Sequence, residues 1–86
     1  MVKVKRFTAL WCGPCRQLGP VFEQMAVEFP NVQFETIDVD TSPDPVQRYM
    51  ITSVPTVIIE KNGQLAERYV GINPKTTYSN KIKSLI

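Results

Sequence analysis

The chain has 86 residues and a net charge of +2, and its composition is 43% hydrophobic and 21% charged. These values are typical of a single globular domain over residues 1–86, and so small a net charge gives no indication of nucleic-acid binding. The longest aliphatic run, residues 57–59, is too short to span a bilayer, and Met1 is followed by no apolar leader segment, so we expect a cytoplasmic protein without membrane attachment.

The first predicted element is a strand over residues 2–8, which is indicated by alternating side chains and by its Val and Phe residues. Lys3 and Lys5 fall on the same side of this strand. Because successive side chains of a strand point to opposite faces, we expect part of one sheet face to be uncovered.

A helix is predicted to begin near Pro14, and Pro30 ends its pattern. Its apolar residues follow the spacing of one helical face: Leu18, Val21, Phe22, Met25, Ala26 and Phe29. Pro20 lies inside the pattern, where it should remove a backbone hydrogen bond and kink the helix.

Two more strands, a hairpin and two further helices complete the pattern. In chain order these are strand 32–39, a turn at 41–45 that leads into a short helix at 46–49, strand 54–60, a hairpin turn at 61–64, strand 65–70 and a last helix from Pro74 with Asn73 as its N-cap. Strands joined across a helix are parallel with a right-handed crossover, whereas a hairpin adds antiparallel strands. We therefore expect an α/β fold with the order βαβαββα, in which three helices flank a four-stranded mixed sheet.

Both cysteines lie in the segment Trp11-Cys12-Gly13-Pro14-Cys15, where the first strand gives way to the first helix. Residues three apart at a helix start share one face, close enough for the Cα separation of roughly 4.4–6.8 Å that a disulfide needs. A helix N-terminus stabilises an anion and lowers a cysteine pKa to about 3.5–7.5. We therefore expect Cys12 to be an accessible thiolate nucleophile, and Cys15, more buried, to resolve the mixed disulfide that forms on Cys12.

Three other interpretations of the cysteine pair are open. A zinc site uses about four ligands, but the chain has two cysteines and no histidine, so a metal would have to be shared between subunits and no metal site is expected. A purely structural disulfide closing so short a loop would add little stability in the cytosol. The third is a chance spacing of two core cysteines, against which the surrounding Trp, Gly and Pro residues argue.

The motif WCGPC, between a strand and a helix that contains Pro20, resembles the active site of the thioredoxin family. Further matches cover nearly the whole chain: Pro20 for the helix-kinking proline, Ser53-Val54-Pro55-Thr56 for the cis-proline loop, Lys61-Asn62-Gly63 for the hairpin and Val70-Gly71 for the glycine loop. The resemblance implies a thioredoxin-like fold that lacks the N-terminal strand and helix of full-length members. It also implies a protein-disulfide reductase with Cys12 as nucleophile and Cys15 as resolving thiol.

The same resemblance implies a surface that holds an extended substrate segment beside the cysteines. Its residues would be Trp11, Gly13, Pro14, the Val54 backbone, Pro55 in cis and Gly71. The implied partners are disulfide-containing protein substrates and a thioredoxin reductase or an equivalent electron donor. The redox-active group would be the Cys12–Cys15 disulfide itself, with no bound cofactor, and we expect a monomer.

Two positions depart from the family pattern. Six residues before Cys12, where thioredoxins bury an aspartate that is thought to accept the proton of the resolving thiol, the chain has Arg6, and the facing lysine is replaced by Thr36. Arginine stays protonated and cannot act as a general base. Near the pair its charge would favour a thiolate, but directed outward it would leave the chemistry unchanged. The proton of Cys15 would then pass to water or to the leaving Cys12 thiolate.

Two alternative functions stay open at this point. A glutaredoxin-like, glutathione-dependent reductase would resemble the chain in its Val-Pro loop, but residues 70–73 supply one glycine and no acid where glutaredoxins carry a glycine pair and an acid. A function of another class is a binding or scaffold subunit of a larger complex, for which the redox activity would be incidental. The sequence names no partner for such a complex.

Overall fold

The computed structural model describes all residues of the chain, Met1–Ile86, and contains seven elements in the predicted order βαβαββα. Their bounds are β1 Val2–Thr8, α1 Gly13–Glu28, β2 Gln33–Asp38, α2 Pro43–Arg48, β3 Thr56–Lys61, β4 Gln64–Val70 and α3 Lys75–Leu85. None of the helices combines the length and the apolar character that crossing a membrane requires.

The four strands form one sheet in the order β2-β1-β3-β4, in which β1 is parallel to β2 and antiparallel to β3. β4 returns antiparallel to β3 through a turn at Asn62 and Gly63, whose φ values are 54° and 82°. Positive φ at both central positions is what a two-residue hairpin turn of type I′ requires. The predicted mixed four-stranded sheet and its hairpin are confirmed.

The main core lies between the sheet and the helices α1 and α3. On this face Val4 of β1 and Val57 and Ile59 of β3 have no solvent exposure, because alternate side chains of each strand point toward the helices. Tyr78 of α3 is enclosed there as well, with its ring edge-on to Tyr69 at a centroid distance of 5.2 Å. Of the predicted stripe of α1, Leu18, Phe22, Met25 and, at the C-cap, Phe29 are buried in this core. Val21 is half-buried, and Ala26 is exposed, so the stripe is wrong at Ala26.

The opposite face of the sheet packs against α2 and the segment that follows it. Lys3 is exposed on this face, as expected, but Lys5 is largely covered. The Lys5 Nζ atom donates to the Tyr49 hydroxyl (2.7 Å) and lies 3.2 Å from a carboxylate oxygen of Glu60. The expectation of an uncovered face is therefore wrong at Lys5, because Tyr49 closes over its ammonium group and the buried carboxylate of Glu60 pairs with it.

Helix α2 begins at Pro43, three residues before the predicted start, so the predicted turn forms the first turn of the helix. Two prolines, Pro43 and Pro45, lie in that turn. They fit because the first N–H groups of a helix have no intrahelical partner, so a residue without an N–H loses nothing there.

Helix α3 begins at Lys75, and its N-cap is Pro74 rather than Asn73. Pro74 has an extended backbone, with φ −61° and ψ 150°, and so stands just outside the helix. Asn73 lies one residue further out, where its backbone N–H donates to the Tyr78 hydroxyl (3.2 Å). The predicted cap is thus displaced by one residue, and Asn73 contacts the helix through the side chain of Tyr78.

We expect Val57→Ala to lower the free energy of unfolding by about 2 kcal/mol, because it removes two methyl groups from a fully buried site and leaves a cavity. Val27→Ala on α1 is the matched control, since Val27 is 82% exposed and its loss should change the stability by less than about 0.5 kcal/mol. Chemical denaturation of both variants measures the difference. Equal effects would contradict the position of the core between the sheet and α1.

Candidate active site

The cysteine pair lies where β1 leads into α1. Between the two elements the backbone N–H of Cys12 donates to the carbonyl oxygen of Ala9 (3.2 Å), and Cys12 becomes the N-cap of the helix. Cys12 and Cys15 form a disulfide with their Cα atoms 5.3 Å apart, within the range that disulfides occupy. The end of a central strand and the start of a helix thus place both sulfurs at one edge of the sheet.

The helix start acts directly on the sulfur of Cys12. The backbone N–H of Cys15 donates to Cys12 Sγ at 3.2 Å, so the sulfur takes the place of the side-chain oxygen that usually caps a helix. The first turn of α1 contains no acidic residue. In the reduced protein the same N–H group and the positive end of the helix dipole favour an anion at this position, which is the condition for a reactive thiolate.

The pair is buried among apolar side chains. The exposed fraction is 5% for Cys12 and 1% for Cys15, the expected order, although Cys12 in the disulfide is less accessible than expected. Ala9 completes this small cluster, and Val39 and Val54 pack against it. Gly13 and Pro14, between the cysteines, are exposed on the surface.

Trp11 stands beside the disulfide with 68% of its surface exposed. Its indole N–H donates to a carboxylate oxygen of Asp40 (2.9 Å), in the segment that follows β2. Asp40 in turn donates its backbone N–H to the side chain of Asp38 (2.9 Å). A large exposed ring would otherwise be free to rotate, and these bonds hold it against the site.

An open groove of about 240 Å³ runs alongside Trp11. It is lined mainly by apolar side chains from α2 and from the loops that follow β1, β2 and α2: Trp11, Val39, Val46, Ile51, Thr52, Ser53 and Val54. Val54 packs against the cysteine cluster and also lines the groove, so this residue separates the groove from the disulfide. We call the surface at Val54 the wall of the active site.

The Val54–Pro55 peptide bond is cis, as the resemblance implied. β3 begins at Thr56, two residues later than predicted, so both residues lie in the loop before the strand. Pro55 has no N–H, and its carbonyl oxygen accepts from the N–H of Gly71 (2.8 Å). Val54, in contrast, makes no backbone hydrogen bond within the chain, which leaves its N–H and C=O groups available to an extended peptide.

Gly71 lies at the end of β4 with a φ of 86°. A side chain at this position would meet no atom within 4 Å, so glycine is favoured by the left-handed backbone conformation and not by lack of space. The hydrogen bond from the Gly71 N–H to the Pro55 carbonyl oxygen places the glycine loop next to Val54. Trp11, Val54, Pro55 and Gly71 therefore lie in one region, around the cysteine pair.

Arg6 is directed away from the disulfide. Its guanidinium donates to Thr36 Oγ1 (3.0 Å) and lies over the ring of Phe22, 5.3 Å from the centroid. Burial lowers its pKa, and the charge of Glu23 opposes that shift. Two orientations were considered for Arg6, near the cysteine pair or directed outward. The first is not found: the guanidinium lies between α1 and β2, on Phe22 and Thr36, and contacts neither cysteine.

The chain brings no group of three or more His, Cys, Asp or Glu side chains into an arrangement that could hold a metal ion. Pro20 lies within α1, which continues through it from Gly13 to Glu28. Its effect on the course of the helix stays a prediction.

Sequence reasoning predicted Trp11 and Val54 but missed Asp40 and the other residues that line the groove. Asp40 carried a usable signal, because it follows β2, and the carboxyl ends of the parallel strands β1 and β2 meet at the same edge of the sheet. Val46 and Ile51 carried none, since their place beside Trp11 depends on how α2 folds back over the sheet.

Comparison with known proteins gives one consistent result. The model of the family described as thioredoxin matches residues 2–84 of the chain. The thioredoxin of Chlamydia trachomatis is 46% identical over 69 residues, which are 80% of this chain and 68% of the relative. The thioredoxin of Chlamydia pneumoniae is 41% identical over 76 residues, covering 88% and 74% respectively.

Solved structures agree with the sequence comparison. The chain superposes on oxidised mitochondrial thioredoxin 3 of Saccharomyces cerevisiae with a TM-score of 0.90 and 37% identity, covering 98% of this chain and 78% of the other. For the thioredoxin of Fasciola hepatica the TM-score is 0.91 with 35% identity, and the coverage is 99% and 81%.

We expect Arg6→Met to leave the pKa of Cys12 unchanged in the reduced protein, because the guanidinium contacts Phe22 and Thr36 and neither cysteine. The rate of alkylation of Cys12 against pH measures this pKa. Arg48→Met, at the exposed end of α2, removes the same charge and controls for the change in net charge. A higher pKa in Arg6→Met alone would show that Arg6 does stabilise the thiolate.

Proposed function

The chain belongs to the thioredoxin family, and from that premise we propose how the residues of the site divide the work of thiol–disulfide exchange. The protein is a thiol–disulfide oxidoreductase of the protein-disulfide reductase type, and its redox-active group is the Cys12–Cys15 disulfide. In the proposal, Cys12 attacks the substrate and Cys15 resolves the intermediate. The observation that carries this assignment is the hydrogen bond from the Cys15 N–H to Cys12 Sγ, which singles out one sulfur of the pair.

The first step is attack by the Cys12 thiolate on one sulfur of a substrate disulfide. A bond forms between Cys12 Sγ and that sulfur, the substrate S–S bond breaks, and the second substrate sulfur leaves as a thiolate. The helix N-terminus supports this step, because its N–H groups and the positive end of the helix dipole stabilise Cys12 as an anion.

The second step releases the substrate. Cys15 gives up its proton, and its thiolate attacks Cys12 Sγ, which re-forms the Cys12–Cys15 disulfide and expels the other substrate sulfur as a thiolate. Two electrons have then passed from the two cysteines to the substrate, whose thiolates take up protons. Arg6 cannot serve as a base, and Cys12 cannot take the proton as expected above, because its sulfur is bonded to the substrate in this step. We therefore assign the proton of Cys15 to the substrate thiolate released in the first step, directly or through water.

Binding would take place across the surface formed by Trp11, Val54, Pro55 and Gly71, with Gly13 and Pro14 exposed beside it. An extended substrate segment would pair with the unbonded backbone groups of Val54, as an added strand pairs with a sheet edge. Its apolar side chains would contact Trp11 and the groove next to it. The left-handed backbone at position 71 favours glycine, and because glycine has no side chain, this end of the surface stays open.

We further propose that residues 1–86 act as one domain and as a monomer, since every group named above comes from a single chain. A flavin-dependent thioredoxin reductase, or an equivalent dithiol donor, would return the disulfide to its reduced form. A cytoplasmic location fits this cycle, because the Cys12–Cys15 disulfide has to be reduced again after each turnover.

Cys15→Ser is expected to accumulate mixed disulfides between Cys12 and protein substrates, because the resolving thiol is missing. Cys12→Ser is the matched control and should trap little, since Cys15 is the more deeply buried of the two. Non-reducing gels of protein incubated with an extract, with and without dithiothreitol, measure the adducts. Equal trapping by both variants would contradict the division of roles.

The reduced protein is expected to turn over insulin with dithiothreitol as donor but to show no activity with glutathione and glutathione reductase above that of Cys12→Ser. The reason is that residues 70–73 offer one glycine and no acid to bind glutathione. Consumption of NADPH measures the second reaction. Efficient turnover there would favour the glutaredoxin-like alternative.

A further inference from the structure

The segment between α2 and β3, residues 49–55, includes the Val54 wall of the active site, but its backbone makes few hydrogen bonds. The backbone N–H groups of Thr52, Ser53 and Val54 donate to nothing within the chain. The carbonyl oxygen of Ser53 accepts from Thr56 Oγ1 (2.7 Å), which fixes the end of the segment near β3. The position of the wall therefore depends on what holds the other end of the segment, next to α2.

Tyr49 holds that other end by three polar contacts with three strands. Its hydroxyl donates to a carboxylate oxygen of Glu60 on β3 (2.8 Å) and accepts from Lys5 Nζ on β1 (2.7 Å). Its carbonyl oxygen accepts from Arg68 Nη2 on β4 (2.6 Å). The ring lies against Phe7, with the centroids 5.8 Å apart. One residue is thus attached to the sheet at both its side chain and its backbone.

The Tyr49 hydroxyl and the two charged groups beneath it, Lys5 and Glu60, satisfy each other. Glu60 is 7% exposed and would be costly to bury alone, but it accepts from Tyr49 and pairs with Lys5. Burial on its own would lower the pKa of Lys5, yet the hydrogen bonds to Tyr49 and Glu60 and the charge of Glu60 outweigh it and raise that pKa. A fully paired network of this kind has one preferred geometry, so it fixes the place of the tyrosine ring.

The position of Tyr49 is transmitted to the wall through a short piece of backbone. After Tyr49 the chain bends at Met50, which has a φ of 53°, and the N–H of Ile51 donates to the carbonyl oxygen of Val46 (2.9 Å). Ile51 then lines the groove together with Trp11 and Val54.

We propose that Tyr49 is a positioning residue for substrate binding: its hydroxyl, held by Lys5 and Glu60, fixes the segment 50–54 whose exposed backbone pairs with the substrate. This inference rests on the proposed function, in which the Val54 backbone receives an extended peptide. Tyr49 lies outside the cluster of side chains that surrounds the two cysteines. Its role therefore concerns the binding of protein substrates and leaves the exchange chemistry unchanged.

Tyr49→Phe tests the proposal, because it removes the hydroxyl but keeps the ring and the Lys5–Glu60 ion pair. Loss of hydrogen bonds worth about 1 kcal/mol should raise the apparent KM for insulin about fivefold while kcat stays within about twofold. The rate with the small aromatic disulfide 5,5′-dithiobis(2-nitrobenzoate) and the alkylation of Cys12 against pH should not change, because neither depends on the wall.

Tyr69→Phe is the matched control, since Tyr69 is a half-buried tyrosine on β4 that packs on Tyr78. It takes no part in the network of Tyr49, Lys5 and Glu60. It should leave the KM for insulin unchanged. An unchanged KM in Tyr49→Phe would overturn the proposal, and so would an equal loss of rate with the small disulfide, which would place the effect at the cysteines. A wild-type protein that fails to reduce insulin would instead overturn the proposed function, and this inference with it.

Discussion

The antiparallel pairing of β1 with β3 is the constraint on which the active site depends. Phe7 lies opposite Thr56 in this register, so the loop that leads from β1 to Cys12 emerges beside the loop that contains Pro55. Cys12 and Val54 are 42 positions apart in the chain, and this pairing brings the two halves of the site together. A shift of the register by one residue would turn every side chain of the strand to the other face, so the same alternation that buries the core also fixes the site.

The two faces of the sheet bury different kinds of side chain. The face under α1 and α3 is mainly apolar, with Val4, Val57 and Ile59 fully enclosed, although Arg6 packs there over the ring of Phe22. The face under α2 combines a small apolar cluster of Phe7, Ile37 and Ile58 with the ion pair of Lys5 and Glu60, and Tyr49 packs against both. A buried ion pair adds little stability by itself, because desolvation offsets the attraction. Its hydrogen bonds are directional, however, and so it orients the element that lies over it.

Periodicity and turn chemistry predicted most of the fold, because each element follows from residues that are close in sequence. The apolar stripe of α1, the alternation of the strands and the Asn62-Gly63 turn are local signals, and the C-x-x-C spacing with its flanking residues predicted the cysteine pair. The hydrogen bonds of the Tyr49 hydroxyl could not be predicted, since they join it to Lys5 and Glu60, which are 44 and 11 positions away, and depend on the strand register. The same holds for Arg6, whose place in the sequence was clear but whose direction is set by packing against Phe22.

The asymmetry between the two sulfurs follows from backbone geometry, because the Cys15 N–H donates to Cys12 Sγ. The guanidinium of Arg16 lies close to the same loop, where it donates to the carbonyl oxygen of Leu10 (2.8 Å). The side chains packed on the pair are apolar, and Arg6 is turned toward β2. A thiol in such surroundings keeps its proton, whereas a sulfur at a helix N-cap is stabilised as an anion by the N–H groups that face it. In the proposed exchange this difference sets the order of events. Cys12 reacts first because the helix favours its thiolate, and Cys15 reacts only when the departing substrate thiolate is close enough to take its proton.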